Sequence, residues 1–507
     1  MEQKNIDVYK FTTESGNTYL FDNASGMVFP CDEAEYYTIQ NVLKMNEKNL
    51  IRKLEESYGK SHIQANMLYQ KIKKMMLQGY FVKNEEDSNY TEISEHDELK
   101  VQLSQLILIV TEDCNIRCKY CIYSDNYPHV KGYSKKKMSF SIARKAVDYY
   151  MELHKKREEN GFRRGPTITF YGGEPLLQYK LIKQVVEYCK EKNYNAQYFI
   201  TTNGTLLTDE MIDFFIVNDF VITFSLDGFK SNNDRNRIFP NGKGTFDLVL
   251  DKVYRLQEEK KKRNIVKGIS FSCCFDTYTD MCKIVEFFNQ NDKIFYPYSI
   301  IYNQIGKYNT TYYDYCDRAH EQGIITEEPD TFEKTVNILQ KDFIEKITKD
   351  NSVSSVGVLY LFMGLINIIW RSRGRMPKNK LACTPGSKIA VSPEGDFFVC
   401  EKVSQMCSIG NVNEKLDMNK VNRLNKEYLD IRRKYCSDCS ISRLCSVCFM
   451  HLAQDQHLEF NKDLCKDNRQ LIPNSLKTVF SVLENNPQAF DVLLPEDLEK
   501  PDRKSVV

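Results

Sequence analysis

The chain has 507 residues, 42% of them hydrophobic and 27% charged, which is enough for two to four domains and too well mixed for wholesale disorder. Seventy Lys and Arg against 69 Asp and Glu leave a formal charge of +1, so broad charge attraction to nucleic acid or to an anionic membrane is excluded. The first residues, MEQKNIDVYK, lack the basic-then-apolar pattern of a secretion signal, and a cytoplasmic location is expected. Seventeen cysteines are the unusual count. A chain this long does not need disulfides to build a core, and clustered cysteines then point to metal or iron–sulfur chemistry.

Residues 1–85 are expected to form a first unit. Residues 6–11, 17–22 and 27–30 read as short strands, separated by the turn signals Glu14-Ser15-Gly16 and Asn23-Ala24-Ser25-Gly26. Ala65, Leu68, Ile72 and Met76 then recur on one helical face, and Gly79 stands where that helix should stop. A small sheet followed by helices predicts a winged-helix-like module. The polar, acidic stretch 86–104 reads as a linker.

Over 105–330 strand and helix alternate. Strands are expected at 106–110, 167–171, 197–202, 221–226, 265–275 and 294–302, with helices at 139–155, 180–192, 208–217 and 246–257 between them. This alternation predicts an α/β unit on a parallel sheet, open or curled into a barrel, with ligands gathered at the carboxyl ends of the strands. Residues 331–380 read as a helical connector. Its apolar run, 356–370, is shorter than the roughly 20 residues of a membrane span and is expected to be a buried helix. Residues 381–470 are dense in cysteine and predict a small domain organised by metal rather than by a core. Residues 471–507 are expected to be a frayed tail.

Ten cysteines fall into two constellations. The first is Cys114-Asn-Ile-Arg-Cys118-Lys-Tyr-Cys121, just after the first strand of the alternating region. Three thiolates on one short loop can hold three irons of a 4Fe-4S cube and leave the fourth open. With Tyr120 before the third cysteine, this loop resembles the fingerprint of the radical S-adenosylmethionine enzymes. Gly172-Gly173-Glu174-Pro175, Thr201-Thr202-Asn203-Gly204 and Ser225-Leu226-Asp227-Gly228 follow the next three strands and strengthen the resemblance. Glycines there suit close approach of backbone to a ligand. The resemblance implies a partial (β/α)6 barrel. It also implies that Gly172, Gly173, Glu174 and Pro175 bind the methionine end of S-adenosylmethionine, and that Thr202, Asn203, Ser225 and Asp227 line its ribose.

The second constellation comprises Cys383 and Cys400, then Cys436-x2-Cys439-x5-Cys445-x2-Cys448, then Cys465. In isolation the central block could be a zinc knuckle. Behind such a barrel it is similar to a SPASM domain with two auxiliary 4Fe-4S clusters. The resemblance implies one cluster on Cys436, Cys439, Cys445 and Cys465 and another on Cys383, Cys400 and Cys448. Two departures stand out. Cys445 and Cys448 are separated by two residues rather than three, and no cysteine lies between Cys316 and Cys383. A fourth ligand for the Cys383/Cys400/Cys448 set is therefore either Cys407 or a substrate thiolate. Glu401, directly after Cys400, is either a catalytic base near substrate or a solvated surface residue. Cys31, Cys189, Cys273, Cys274, Cys282 and Cys316 are expected to be structural, behaving as small hydrophobes.

The N-terminal unit resembles a leader-peptide recognition element, which captures an extended peptide by adding it to a sheet edge. Together the resemblances imply a maturase of a ribosomally made precursor peptide, bound through its leader. S-adenosylmethionine and three 4Fe-4S clusters would be its cofactors, with a low-potential donor such as ferredoxin or flavodoxin. Its expected reaction is an oxidative cross-link made through a 5′-deoxyadenosyl radical. A cysteine thioether comes first and a carbon–carbon or ether macrocycle second. A sulfatase-type protein maturase and a non-catalytic, zinc-containing peptide-binding scaffold are the rivals. Neither nucleic acid nor a membrane span belongs to the expectation.

Overall fold

The computed structural model describes residues 5–83, 104–127, 132–161, 163, 165–265, 268–294, 298–307, 310–372, 388–402, 408–445, 447–454 and 457–490. Most of the expected linker, Cys383 and Cys407 lie outside these residues.

At the N-terminus an antiparallel sheet runs β1 (Val8–Thr12), β2 (Thr18–Asp22) and β3 (Val28–Pro30), with β3 at one edge. Its two turns are closed by Gly16 and Gly26 at φ 84° and 81°, a left-handed backbone that glycine adopts without penalty. Three helices follow: α1 (Glu33–Asn41), α2 (Glu47–Tyr58) and α3 (His62–Leu77). Capping boxes, Asp32 with Glu35 and Ser61 with Gln64, start α1 and α3. Leu20, Leu50, Leu54, Ala65 and Ile72 form the dry centre of this module.

The larger unit has six parallel strands: β4 (Gln105–Thr111), β5 (Thr167–Gly172), β6 (Gln197–Thr202), β7 (Val221–Ser225), β8 (Ile269–Phe275) and β9 (Ser299–Gln304). Crossovers are made by α4 (Phe140–Glu159), α5 (Tyr179–Glu191), α6 (Asp209–Val217), α7 (Lys230–Asn236), α8 (Phe246–Lys262) and α9 (Met281–Gln290). The result is the expected open, partial (β/α)6 barrel. The last two strands start later than expected. Asn264, at φ 55°, turns the chain out of α8, and Ile265 caps that turn by donating to the Lys260 carbonyl. Leu106, Leu108 and Val110 of β4 face the helices, and Ile107 and Ile109 face the other side. Both faces of this strand are therefore apolar, as a buried parallel strand requires.

The helices α10 (Tyr312–Glu321), α11 (Thr331–Asp350) and α12 (Val356–Ser372) come next. Val358, Phe362 and Leu365 of α12 are buried against Phe343 and Ile347 of α11, as a connector helix should be. No helix among the described residues is long and apolar enough to cross a membrane.

One feature was not expected and one expectation needs correction. The cysteine-dense region adds strands to the barrel sheet. Its strands β10 (Lys388–Val391), β11 (Asp396–Phe398), β12 (Gly410–Asn411) and β13 (Lys415–Leu416) extend the barrel sheet, β10 lying parallel on β4. The exposed backbone of β4 is thereby covered, which a local sequence pattern does not reveal. After α13 (Met418–Cys436), α14 (Phe449–Leu452) and the short pair β14 (Ala453–Gln454) and β15 (His457–Leu458), the chain forms α15 (Lys462–Asn485). Residues 471–485 are thus not a frayed tail. Leu476, Val479 and Phe480 are buried with α11 and α12, and Phe480 meets Phe11 and Tyr19 of the N-terminal sheet at 5.5 and 5.2 Å. Pro473, inside this helix, hid it from a reading that treats proline as a helix terminator.

Candidate functional site

The cysteine loop leaves β4 at Thr111 and is pinned across the barrel mouth. Arg117 N–H donates to the Ile238 carbonyl at 2.7 Å, and Lys119 N–H to that of Asn236 at 3.1 Å. Cys114 and Cys118 are buried and Cys121 is partly so, in a nest with Ile116, Tyr120, Tyr133 and Phe239. Burial pushes the Cys114 thiol up to about 12, with Glu174 and Cys121 adding to the rise and Arg237 opposing it. Cys118 is pushed up in the same way, and Cys121 and Cys114 raise it further. Cys114 and Cys118, whose ionisation burial and neighbouring cysteines oppose, become thiolates together only around a cationic partner. The donor set therefore fits an iron–sulfur cluster held by three cysteines.

The glycines of the next motif serve packing. A Cβ on Gly172 would lie 2.2 Å from the Thr111 carbonyl oxygen, and one on Gly173 would lie 2.1 Å from that of Asp113. The clearance expected for a ligand is here occupied by the root of the cysteine loop, which Gly173 N–H and Glu174 N–H clasp at 2.8 Å each. Glu174 is fully buried. Its carboxylate accepts from Thr202 Oγ1 at 2.6 Å, Asn203 N–H at 2.7 Å and Leu176 N–H at 3.0 Å, with Pro175 opening the short turn that follows. Burial raises its pKa and these three donors oppose the rise. Asn203 Nδ2 in turn donates to Asn115 Oδ1 at 3.0 Å, inside the cysteine loop. Three strand ends are thus knitted into one floor.

Ser225 ends β7, and Asp227 lies two residues beyond it. The Asp227 carboxylate accepts from Cys274 N–H at 2.9 Å and from the Tyr120 hydroxyl at 2.5 Å. Arg237 donates from Nη1 to the same hydroxyl at 2.8 Å, while its Nε is buried with no hydrogen-bond partner among the described residues. Arg237 was missed by sequence reasoning. It sits beside Cys118 and Asp227, and its only sequence signal is a basic pair, Arg235 and Arg237, in an Asn-rich segment with no apolar face. Of the two adjacent cysteines in β8, Cys273 is fully buried as expected. Cys274 is only partly buried and faces Tyr120.

Cys400 follows β11, with its Sγ 3.2 Å from Glu401 Oε2; burial and the Glu401 charge push its thiol up to about 12. Burial first, and then the charges of Glu401, Cys121 and Cys400, hold the Tyr171 hydroxyl of β5 well above the usual tyrosine range. Cys436, Cys439, Cys445 and Cys465 come together. Cys445 is raised by burial first and then by the charge of each of the other three, with Arg432 opposing. Cys448 caps the start of α14 close by. Among the described residues, no three His, Cys, Asp or Glu side chains converge on a point that would hold a single metal ion. Thiolates on separate corners of a cube do not need to.

The N-terminal module is fastened to this cysteine block. Asn23 Nδ2, buried, donates to Cys439 O at 3.2 Å and to Ser442 Oγ at 3.1 Å, and Asn23 Oδ1 accepts from Arg443 N–H at 2.9 Å. Arg443 returns through Nε to the Asn23 carbonyl at 2.8 Å.

Residues 108–288 match the Radical SAM superfamily. This segment is a radical SAM domain, and the chain that carries it is an enzyme. The chain is 26% identical over 358 residues to a cysteine-type anaerobic sulfatase-maturating enzyme of Clostridium novyi, covering 68% of this chain and 86% of that one. It is 24% identical over 418 residues to the radical SAM cyclopropyl synthase TigE of Paramaledivibacter caminithermalis, covering 78% of each. The solved structure of anSMEcpe with bound AdoMet superposes with a TM-score of 0.53 at 23% identity, over 77% of this chain and 99% of that one. That likeness shows the radical SAM fold, and the superfamily match sets aside the non-catalytic scaffold.

Proposed function

We propose that the enzyme matures a ribosomally made peptide by an oxidative intramolecular cross-link, a cysteine thioether first and a carbon–carbon or ether macrocycle second. The observation that carries this reading is the fused N-terminal module. Its β3 is an edge strand able to accept an extended leader, and its β2–β3 turn is bonded to the cysteine block. In this reading Cys114, Cys118 and Cys121 hold the radical cluster, and Gly172, Gly173, Glu174, Pro175, Thr202, Asn203, Ser225 and Asp227 surround S-adenosylmethionine with Tyr120 and Arg237. Cys436, Cys439, Cys445 and Cys465 hold one auxiliary cluster, and Cys400 and Cys448, with Cys383, hold the other. When bound, S-adenosylmethionine on the radical cluster supplies a radical able to take hydrogen from an unactivated C–H bond. The apolar nest around the cysteine loop keeps water away, and Glu174 and Asn203 hold the loop in register. Glu401, beside Cys400, takes the proton of a substrate thiol. A ferredoxin or flavodoxin supplies electrons.

A second reading, cysteine oxidation in a sulfatase-type protein, is favoured by the Clostridium novyi relative. Anaerobic incubation with S-adenosylmethionine, reductant and peptide separates the two by mass spectrometry. A thioether cross-link removes two hydrogens and turns the cysteine thiol into a thioether, which no longer alkylates. Sulfatase-type oxidation removes the sulfur and creates an aldehyde. Aldehyde formation on a sulfatase peptide, with no change in any cross-linkable precursor, overturns the first reading.

A further inference from the structure

Arg432 lies one helical turn before Cys436 on α13, so both side chains share a face. It is 6% exposed. Its Nη2 donates to the Ser442 carbonyl at 2.8 Å and its Nη1 to the Cys445 carbonyl at 3.3 Å, while Nε is buried with no hydrogen-bond partner among the described residues. No carboxylate among the described residues pairs with it. An isolated buried cation costs several kcal/mol, so a site that retains one has an anion close by. The cysteine cage lies beside this guanidinium, which holds the Cys445 carbonyl and whose charge opposes the rise that burial imposes on the Cys436 and Cys445 thiols. Asn468 of α15 donates from Nδ2 to Cys445 Sγ at 3.6 Å. Arg469, also near Cys436, is exposed and its charge is screened by water.

We infer that Arg432 and Asn468 tune the cage of Cys436, Cys439, Cys445 and Cys465 to accept an electron, by stabilising the more anionic, reduced form of the cluster it holds. The inference rests on the reading of these four cysteines as cluster ligands. Four thiolates leave a 4Fe-4S cluster net negative, and one added electron makes it more so without forming or breaking a bond. A fixed positive charge in a dry site and an N–H on a ligand sulfur both favour that added charge, and cluster potentials respond to these two levers. The same guanidinium fork holds the carbonyls of Ser442 and Cys445, so the loop that carries a ligand and the charge that tunes it are one unit. Arg432 and Asn468 act through the cluster and are positioning residues.

The test is a redox titration of the full-length, anaerobically reconstituted enzyme followed by electron paramagnetic resonance. The signal of this site is assigned by its loss in Cys436→Ala. Arg432→Gln shifts its midpoint to more negative potential, Asn468→Ala shifts it less in the same direction, and Arg469→Gln least. Arg432→Lys, which keeps the charge, stays near wild type. An unmoved midpoint in both Arg432→Gln and Asn468→Ala overturns the inference. If Arg432→Gln fails to retain iron, Asn468→Ala decides alone, a negative shift supporting the inference and an unchanged midpoint ending it. If no signal depends on Cys436, the assignment of the cage itself is wrong and the inference falls with it.

Discussion

The mouth of the barrel and the cysteine block both gather thiols, but they are held together by different forces. Beneath the first lie Phe170, Ile200, Phe224 and Phe271, all fully buried, with helices packed behind them. The three thiols there sit on a floor that exists whether or not a ligand is bound. In the block, Cys436, Cys439, Cys445, Cys448 and Cys465 are all partly exposed, and the buried apolar side chains between them are few, chiefly Ile441, Leu444, Phe449 and Leu452. In the proposed reading, the cluster there supplies part of the structure. A site built on a core can lose its cofactor and keep its shape, whereas a site built around a cofactor cannot.

The contrast is sharpest when metal is withdrawn by design. Replacing Cys114, Cys118 and Cys121 with Ala abolishes cleavage of S-adenosylmethionine and lowers iron by about four atoms per chain. The thermal unfolding of the barrel stays unchanged, as calorimetry can show. A barrel that unfolds earlier in this variant breaks the comparison from one side. Anaerobic chelation of all iron attacks it from the other. Hydrogen exchange should then rise across 436–465 and remain slow in β5 to β8, and equal loss of protection in both regions contradicts the distinction.

Gly173→Ala tests whether the floor is rigid. Its new methyl meets the Asp113 carbonyl, so the cysteine loop must shift or the fold loses about 1–3 kcal/mol. Denaturant unfolding and iron content together report which occurs, and a variant normal in both shows that the floor yields. Asn23→Ala is the gentlest probe. Removing a buried hub of hydrogen bonds costs about 1–3 kcal/mol locally. Limited proteolysis near residue 83 should then accelerate while barrel stability is kept. Unchanged cleavage there separates the module from the block.

Much of this was legible in the sequence because barrel strands and helices announce themselves by local periodicity. The strand ends of β4, β5, β6 and β7 fell where the four motifs required, and Ala65, Ile72 and Met76 form the buried face of α3 as their spacing predicts. What stayed hidden depends on distant neighbours. Arg237 and Arg432 look like surface residues until the chain closes around them. Gly172 and Gly173 suggested room for a ligand, but the contact they permit is with Thr111 and Asp113, some 60 residues earlier. β10 joins β4 across a gap of nearly 280 residues, which no window of sequence displays. The helix α15 was visible in principle, since Ile472, Leu476, Val479 and Phe480 keep helical spacing, but Pro473 obscured it.

The clasp between Asn23 and Arg443 hangs the N-terminal module from the cysteine block, whose thiols are all partly exposed. Two equilibria then share one loop. Whatever orders 436–445 also steadies the module, and if the module takes a leader and the loop a cluster as proposed, each strengthens the grip on the other by the same factor. An enzyme so arranged is most fully assembled when its substrate is already in hand.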